Sequence, residues 1–581
     1  MGSPAIATLN DGTSSAGNEA ILRIPDNVKK DVLAYRVKVG AYLHGETTPA
    51  AFKAERMGMG IYEQRTEGRY MVRVRLGAGV ALSRQLMQVA ALSRKYGNGI
   101  LHVTTRQDIQ IHDVPLENTA DIVEGLLDVG LTSRGGGGNT VRNVTACPRS
   151  GSCPNERFDV APYAIATAEY LLQHRASFDL PRKFKIAFSG CGRDCALASV
   201  ADLGFFAQRR GGARGFAVFA GGGLGRNARV GILLEEFIPA DQFLWVAEAV
   251  RRLFDRHGDR LNRNKARLRY VLGRLGAEGF RRTYQQEFEV LRAEGLQGEI
   301  PAFRDLNSGM GLAIGTKPVA DPPLSGNFEV RFPGLVLREK DPGWVTLRLA
   351  LPLGDISAED LVVVAQTVEQ FGRGTVRATQ HQELLIPGVE CRDLLKALEM
   401  IQRTTIFDEL RKARPRLVAC AGASICRLGL CQSRNLAVAI HNRLDELGIA
   451  DSAAVRVIHI SGCPNGCGAH HVAEMGLEGG LEHHNGRPMP MYAVYAGGGL
   501  SEEGARLGEP LGTVPARRVP DLICEALARN ATAPDRLRTL VTDYAELPSD
   551  PPEDYFQDFG ERSPLSPATT DQASEAPAAN Q

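Results

Sequence analysis

Ser461-Gly462-Cys463-Pro464-Asn465-Gly466-Cys467-Gly468 decides how the chain is read. Its two cysteines are spaced C-x3-C, and a C-x5-C pair, Cys420 and Cys426, stands upstream. The pattern occurs once before: Cys147 and Cys153 form C-x5-C, and Cys191 and Cys195 form C-x3-C after Ser189-Gly190. The two copies are displaced by 273 residues at the first pair and 272 at the second, so eight of eleven cysteines fall into two matched sets. Two short-spaced pairs separated by a long gap suit the four thiolates of a four-iron cubane. Zinc also takes four thiolates, but its usual knuckles are C-x2-4-C, narrower than C-x5-C. Unliganded thiols are the remaining reading. His470 and His471 read as packed or exposed side chains rather than ligands. Pro464, Asn465, Gly466 and Gly468 form a turn whose backbone N–H groups can point at sulfur and tune its potential. Cys391, Cys431 and Cys524 read as ordinary thiols.

The duplication extends well beyond cysteine. Val218-Phe219-Ala220-Gly221-Gly222-Gly223-Leu224 matches Val494-Tyr495-Ala496-Gly497-Gly498-Gly499-Leu500. So long a period means duplicated domains rather than a solenoid. Each copy runs alternating strand (Tyr70 to Leu76; Trp344 to Leu351), helix (Ser83 to Tyr96; Ala358 to Phe371), strand (Ile100 to Ile111; Gly374 to Ile386) and a further helix. That order predicts an α+β class, with a small α+β unit preceding each cysteine segment. The expected division is a disordered tail at 1–20, a half-domain at 21–137, a lobe at 138–312 and a linker at 313–341. A second half-domain at 342–410 and a second lobe at 411–547 follow, with a Pro-, Ser- and Ala-rich disordered tail at 548–581. The Gly triplets match neither G-x-G-x-x-G nor a Walker loop and read as tight turns.

At 581 residues and 43% apolar, the chain has material for several cores. Its 68 basic and 67 acidic residues argue against a polyanion-binding protein. A basic run from Arg251 to Arg274 leaves a nucleic-acid reading to be weighed, without a recognised motif to support it. No apolar stretch approaches a membrane span. The first residues lack a basic start and apolar core, so a cytoplasmic location and metal or catalytic cysteines are expected rather than disulfides.

The copies differ in charge. In Leu180-Pro181-Arg182-Lys183-Phe184-Lys185 both lysines share one face of an extended segment, where the second copy has Val455 and Val457. Arg106, in Thr104-Thr105-Arg106-Gln107, aligns with Gln380. Arg142 lies just before Cys147, and Arg73 and Arg75 share a strand face. Convergent Arg and Lys suit a small oxyanion or a cofactor rich in carboxylates.

At these residues the chain resembles the siroheme-containing, [4Fe-4S] nitrite and sulfite reductases, in particular the ferredoxin-type assimilatory sulfite reductase hemoproteins. The resemblance covers about residues 50 to 545 and rests on Thr-Thr-Arg-Gln, Val-Arg-Asn, Leu-Pro-Arg-Lys-Phe-Lys and Gly-Cys-Pro-Asn-Gly-Cys-Gly. It implies a central domain built from both half-domains, flanked by two α/β lobes, with siroheme in the cleft between them. It implies a [4Fe-4S] cluster on Cys420, Cys426, Cys463 and Cys467, with Cys467 also bridging to siroheme iron. Arg73, Arg142, Lys183 and Lys185 would meet substrate, and Arg106 and Arg267 the siroheme carboxylates. Better-known single-chain members keep cysteines only in the second half. Cys147, Cys153, Cys191 and Cys195 are therefore either a second cluster site or an inert remnant. Lys185, where plant-type nitrite reductases tend to have Asn, tilts the expectation to sulfite reduction to sulfide, with nitrite reduction to ammonia as the alternative. An oxygenase of cobalamin-ring synthesis and a non-catalytic Fe–S or zinc protein on nucleic acid are the competing readings. Without a flavin or nicotinamide signature, electrons would come from ferredoxin or a flavoprotein.

Overall fold

The computed structural model describes residues 21–301, 332, 334–412, 414–450, 456–501 and 503–560. Helices Ser83–Tyr96 and Ala358–Phe371 form where the sequence repeat places them. Leu86, Val89, Ala90 and Ser93 in one, and Leu361, Val364, Ala365 and Val368 in the other, bury one face at helical spacing. The two helices pack on each other beneath the sheets of both half-domains. Ser357 Oγ accepts the Asp360 N–H at 3.0 Å and caps the second helix.

In the first half the strands are β1 (Ile61–Glu63), β2 (Arg69–Val74), β3 (Val80–Leu82), β4 (Ile100–Val103) and β5 (Ile109–Pro115). The first lobe adds β6 (Thr145–Ala146), β7 (Ile186–Ser189), β8 (Leu203–Arg210), β9 (Ala213–Ala220) and β10 (Ile232–Pro239). The second half repeats this with β11 (Val336–Arg338), β12 (Trp344–Leu349), β13 (Asp355–Ser357), β14 (Thr375–Ala378) and β15 (Leu384–Glu390). Its lobe holds β16 (Arg416–Ala419), β17 (Val457–Ser461), β18 (Met475–His484) and β19 (Arg487–Ala496). A hairpin of β20 (Gly499–Ser501) and β21 (Gly504–Arg506) follows, and β22 (Glu509–Pro515) returns to the lobe sheet.

The half-domains exchange strands. One sheet runs β1-β2-β5-β4-β13 and the other β11-β12-β15-β14-β3, so each takes an edge strand from the opposite copy. Neither half can complete its hydrogen-bond ladder alone, which joins them into one central core. Each lobe sheet is parallel through its first three strands (β6-β7-β8; β16-β17-β18) and antiparallel beyond them. The cysteines sit at the carboxyl ends of the parallel strands, where open α/β sheets place their ligands.

Three expectations change. The strands expected over Ile100 to Ile111 and Gly374 to Ile386 are each a hairpin. Thr104 Oγ1 accepts the N–H groups of Arg106 at 3.2 Å and Asp108 at 3.1 Å, and Gln107 takes φ +58°. Thr379 Oγ1 does the same for His381 and Glu383, both at 3.1 Å. These local bonds outcompete the extended chain, and they put Arg106 on a turn. Second, the linker boundary at 341 is too late, because β11 already pairs with β12. Third, residues 548–560 are not a tail. The buried Asp558 accepts the Gln432 N–H at 2.7 Å, and Glu553 pairs with Arg487 at 2.6 Å. The expected tails at 1–20 and 561–581, and linker residues 313–331, lie outside the described residues.

The half-domains also cross over onto the opposite lobes. Arg65 N–H donates to Ile425 O beside Cys426, and Lys340 N–H donates to Ser152 O beside Cys153, both at 2.9 Å. The Asp355 carboxylate accepts from His102 Nδ1 at 2.8 Å and from Arg434, fastening the second lobe's helix Ser433–Glu446 to the central sheet. Among the described residues no helix is long and apolar enough to cross a membrane.

Candidate active site

Cys420 follows β16, Cys426 ends the short helix after it, and Cys463 and Cys467 occupy the turn after β17. The parallel pairing β16–β17 brings the two segments together, and Cys420 N–H donates to Ile460 O at 3.1 Å. Gly462 N–H points at Cys420 Sγ at 3.2 Å, and the Asn465 amide at Cys463 Sγ at 3.5 Å. Backbone N–H groups of Leu428 and Asn465 point at Cys426 and Cys463. Such donors stabilise thiolate and tune a bound metal.

All eleven cysteines are free thiols. Among the described residues, the one group of three or more His, Cys, Asp or Glu whose ligand atoms all lie within 4.8 Å is His470, His471 and Glu478. A tetrathiolate zinc site with Zn–S of about 2.3 Å has sulfurs about 3.8 Å apart. Among the described residues neither cysteine set closes to that tetrahedron. His470 and His471 are buried under Tyr495 and turned to Glu478, with His470 Nε2 at 2.8 Å from it. Their place in the fold is explained by that packing.

Cys467 differs from its three partners in being exposed. Thr105 Oγ1 donates to its carbonyl at 2.8 Å, so the Thr-Thr-Arg-Gln turn of the first half reaches the cysteine turn of the second. The first lobe supplies the cations. Phe184 pairs with Val141 and is fully buried, which turns Lys183 and Lys185 to the other side of the extended segment. Burial, then the charges of Arg267 and Arg142, bring the Lys183 ammonium down to about 7, against the pull of Cys467. Burial, then Arg106, Lys183 and Arg267, push Lys185 well below the usual lysine range, again with Cys467 opposing. Both residues keep some contact with solvent although they lie deep in the protein. Neither has a carboxylate partner among the described residues.

The arginines are held from behind. Arg73 pairs with the buried Asp108 at 3.2 Å. Arg142 donates to Gly136 O at 2.9 Å and Gly138 O at 3.0 Å, and Nη2 lies 3.4 Å from the Tyr62 hydroxyl. The Nε atoms of Arg73 and Arg142 are buried without a partner. Arg75, fully buried, donates to the carbonyls of Arg134 and Arg142 and so positions Arg142 instead of facing the cleft. Arg106 donates to Asn143 O. Arg267 is engaged differently from its expected role. Its Nε and Nη2 make a fork with Asp202, at 2.9 to 3.2 Å, and Asp202 also accepts the Lys185 N–H at 2.9 Å. Arg267 thus keeps at most part of its guanidinium for a cofactor carboxylate.

Four residues were not legible beforehand: Tyr62, Thr105, Asp108 and Asp202. Burial works to raise the Tyr62 phenol, but Arg142 and Arg73 outweigh it and hold its pKa below the ordinary value. Asp202 lies 65 residues from the arginine it grips, a separation without a local signal. Thr105 and Asp108 flank the arginine motif itself, and its turn geometry was the missing clue.

This constellation of mutually repelling cations around an exposed thiol, with its two lysines unneutralised, suits a bound polyanion. Family models decide the identity. The nitrite and sulphite reductase 4Fe-4S domain matches residues 137–291 and 413–543, and the nitrite/sulfite reductase ferredoxin-like half domain matches 62–129 and 337–403. The chain belongs to the nitrite and sulfite reductase family. The ferredoxin–nitrite reductase of Synechococcus elongatus is 31% identical over 80% of this chain and 86% of its own. The assimilatory ferredoxin-dependent nitrite reductase of Haloferax mediterranei is 29% identical over 83% of each chain. The structure of the Mycobacterium tuberculosis NirA protein superposes with a TM-score of 0.70 at 23% identity, covering 88% of this chain and 94% of that one, and shares the fold. Membership in the family brings a [4Fe-4S] cluster and siroheme as cofactors, and the thiols and cations above fit both. The relatives' names run against the sulfite preference that Lys185 suggested.

Proposed function

We propose that this chain reduces nitrite to ammonia, with a ferredoxin as electron donor. The nitrite-specific names of the relatives support the substrate and the donor. The observation that carries the site is the approach of Lys183 and Lys185 to the Cys467 thiol, with the charges of Arg106, Arg142 and Arg267 acting on the two lysines. Cys420, Cys426, Cys463 and Cys467 would hold the cluster, with Cys467 turned toward siroheme, and Arg106 and part of Arg267 would meet siroheme carboxylates. When bound, siroheme and the cluster would supply the redox chemistry, relaying the ferredoxin's electrons to the substrate.

The residues do the rest. Arg73 and Arg142 orient the anion, with Asp108 and Tyr62 fixing their planes. Removing each nitrite oxygen as water consumes protons, and Lys183 Nζ and Lys185 Nζ are the groups placed to deliver them. An ammonium near neutrality is both charged enough to attract nitrite and acidic enough to give up a proton. The cleft wall of Phe184 and Val141 keeps bulk water from the back of the lysine pair.

Sulfite to sulfide is the second reading, and Lys185 favours it. A dianion gains more than nitrite from a second lysine. The two are separated by supplying each anion to the holoenzyme with photochemically reduced viologen, since dithionite would itself release sulfite. The proposal expects a larger kcat/KM and stoichiometric ammonia with nitrite. A larger kcat/KM with sulfite, and sulfide as product, would reverse the assignment. Under that second reading, Lys185→Asn moves the preference toward nitrite.

A further inference from the structure

We infer that Cys147, Cys153, Cys191 and Cys195 hold a second [4Fe-4S] cluster, separate from the siroheme-linked centre. The inference goes beyond the choice between nitrite and sulfite and stands whichever is reduced.

The first-lobe cysteines stand in the same frame as the second. Cys147 N–H donates to Phe188 O at 2.9 Å, as Cys420 N–H does to Ile460 O. The donors to sulfur recur at equivalent places. The Asn155 N–H points at Cys153 and the Arg193 N–H at Cys191. In the second lobe, Leu428 and Asn465 fill those positions for Cys426 and Cys463. An inert remnant has no use for amides aimed at sulfur, whereas cluster thiolates need them. The four thiols are neighbours: Cys191 and Cys195 act on the Cys147 thiol, and Cys191 acts on that of Cys153. The set does not close to the zinc tetrahedron described above.

A second observation comes from the other half of the chain. Arg377 on β14 is 3% exposed, and its Nε and Nη1 have no hydrogen-bond partner. The charges that reach it are Asp159, Glu156, Cys147 and Glu339. Glu156 is already paired with Lys340 and Asp159 with Ser150, and Glu339 accepts from Thr346 and from the Gly388 N–H, both at 2.7 Å. A buried guanidinium with two orphaned N–H groups is costly unless an anion lies close. A cubane with four thiolates is a dianion when oxidised, and it supplies that charge beside Cys147. The site is also reachable: Cys191 borders an open cavity of about 710 Å³, shared with Arg193, Leu500 and Ser501.

The test is iron, sulfide and zinc counting on holoenzyme purified without oxygen, normalised to siroheme. Two clusters give about eight non-haem irons and eight labile sulfides per siroheme, and one gives about four of each. Cys191→Ala combined with Cys195→Ala is expected to remove about four irons and one reduced-cluster EPR signal while siroheme bands persist. Four irons in the wild type, with no loss in the variant, would overturn the inference. So would one zinc per chain that the variant loses. If the variant does not fold, the wild-type count and the number of EPR signals decide alone. Absence of siroheme would bear on the proposed reaction and leave this count readable per chain.

Discussion

Replacing Lys183 with methionine is expected to move activity and stability in opposite directions. In the siroheme-free protein the folded environment lowers the Lys183 pKa from 10.5 to about 7, through burial and then Arg267 and Arg142. Between about pH 7 and 10.5 the unfolded chain keeps a proton that the folded chain has released, so stability rises with pH across that window. Below about pH 7 both states are protonated and the penalty is fully present. At 1.36 kcal/mol per unit the shift corresponds to about 5 kcal/mol at most, and relaxation with partial solvation leaves roughly 2 kcal/mol as a working figure. Methionine of similar length removes the charge and keeps the packing. Urea unfolding of siroheme-free K183M at pH 7 should therefore show a gain of about 2 kcal/mol and a flatter rise toward pH 10. Holoenzyme turnover should fall by roughly 10²–10⁴ in kcat/KM, the usual scale of a general acid. A K183M enzyme with wild-type kcat/KM, or one destabilised at pH 7 without siroheme, would refute the assignment of Lys183.

Other substitutions probe the supports. Asp202→Asn leaves the buried Arg267 without its carboxylate and should cost about 3–5 kcal/mol in thermal unfolding of the holoenzyme, with loss of siroheme on dialysis. Tyr62→Phe removes a partner of Arg142, and KM for nitrite should rise several-fold with kcat little changed in steady-state assays. Thr105→Val deletes the bond to the Cys467 carbonyl and should cost about 1 kcal/mol, read as a lower unfolding midpoint. The Asp355 carboxyl is held down to about 2, where its hydrogen bond from His102 and the charge of Arg434 prevail over burial. Its stabilisation is present above the ordinary carboxyl pKa and fades as pH falls toward 2, so Asp355→Asn should flatten the acid limb of stability against pH.

Much of the fold was legible because the chain states it twice. The repeat located both half-domain helices, and the cysteine spacing located both lobes. Strand exchange between half-domains was not legible, since β3 and β13 are three-residue strands whose partners lie in the other copy. The hairpins at Thr104 and Thr379 were hidden by their apolar flanks, where side-chain capping of the turn overrides the alternation pattern. Within the site, the lysine pair showed up by contrast with Val455 and Val457. Arg267 was placed at the cofactor by the resemblance alone; that Asp202 holds its Nε and Nη2 was not legible, because the two lie 65 residues apart and meet only in the folded lobe. Residues 548–560 looked like the start of a low-complexity tail. Phe559, whose carbonyl accepts from Asn435, and the buried Asp558 tie them down individually, and averaged composition does not register single anchors.

The central claim is that thiolates of the second lobe present Cys467 to cations of the first, and that these residues together would hold siroheme. Cys467→Ala, purified beside the wild type without oxygen, tests it most directly through siroheme absorbance, non-haem iron and nitrite turnover measured on the same samples. The account predicts that the variant loses the siroheme-coupled spectrum and turnover together while the first lobe's iron remains. A Cys467→Ala protein with the wild-type spectrum and undiminished turnover would contradict it.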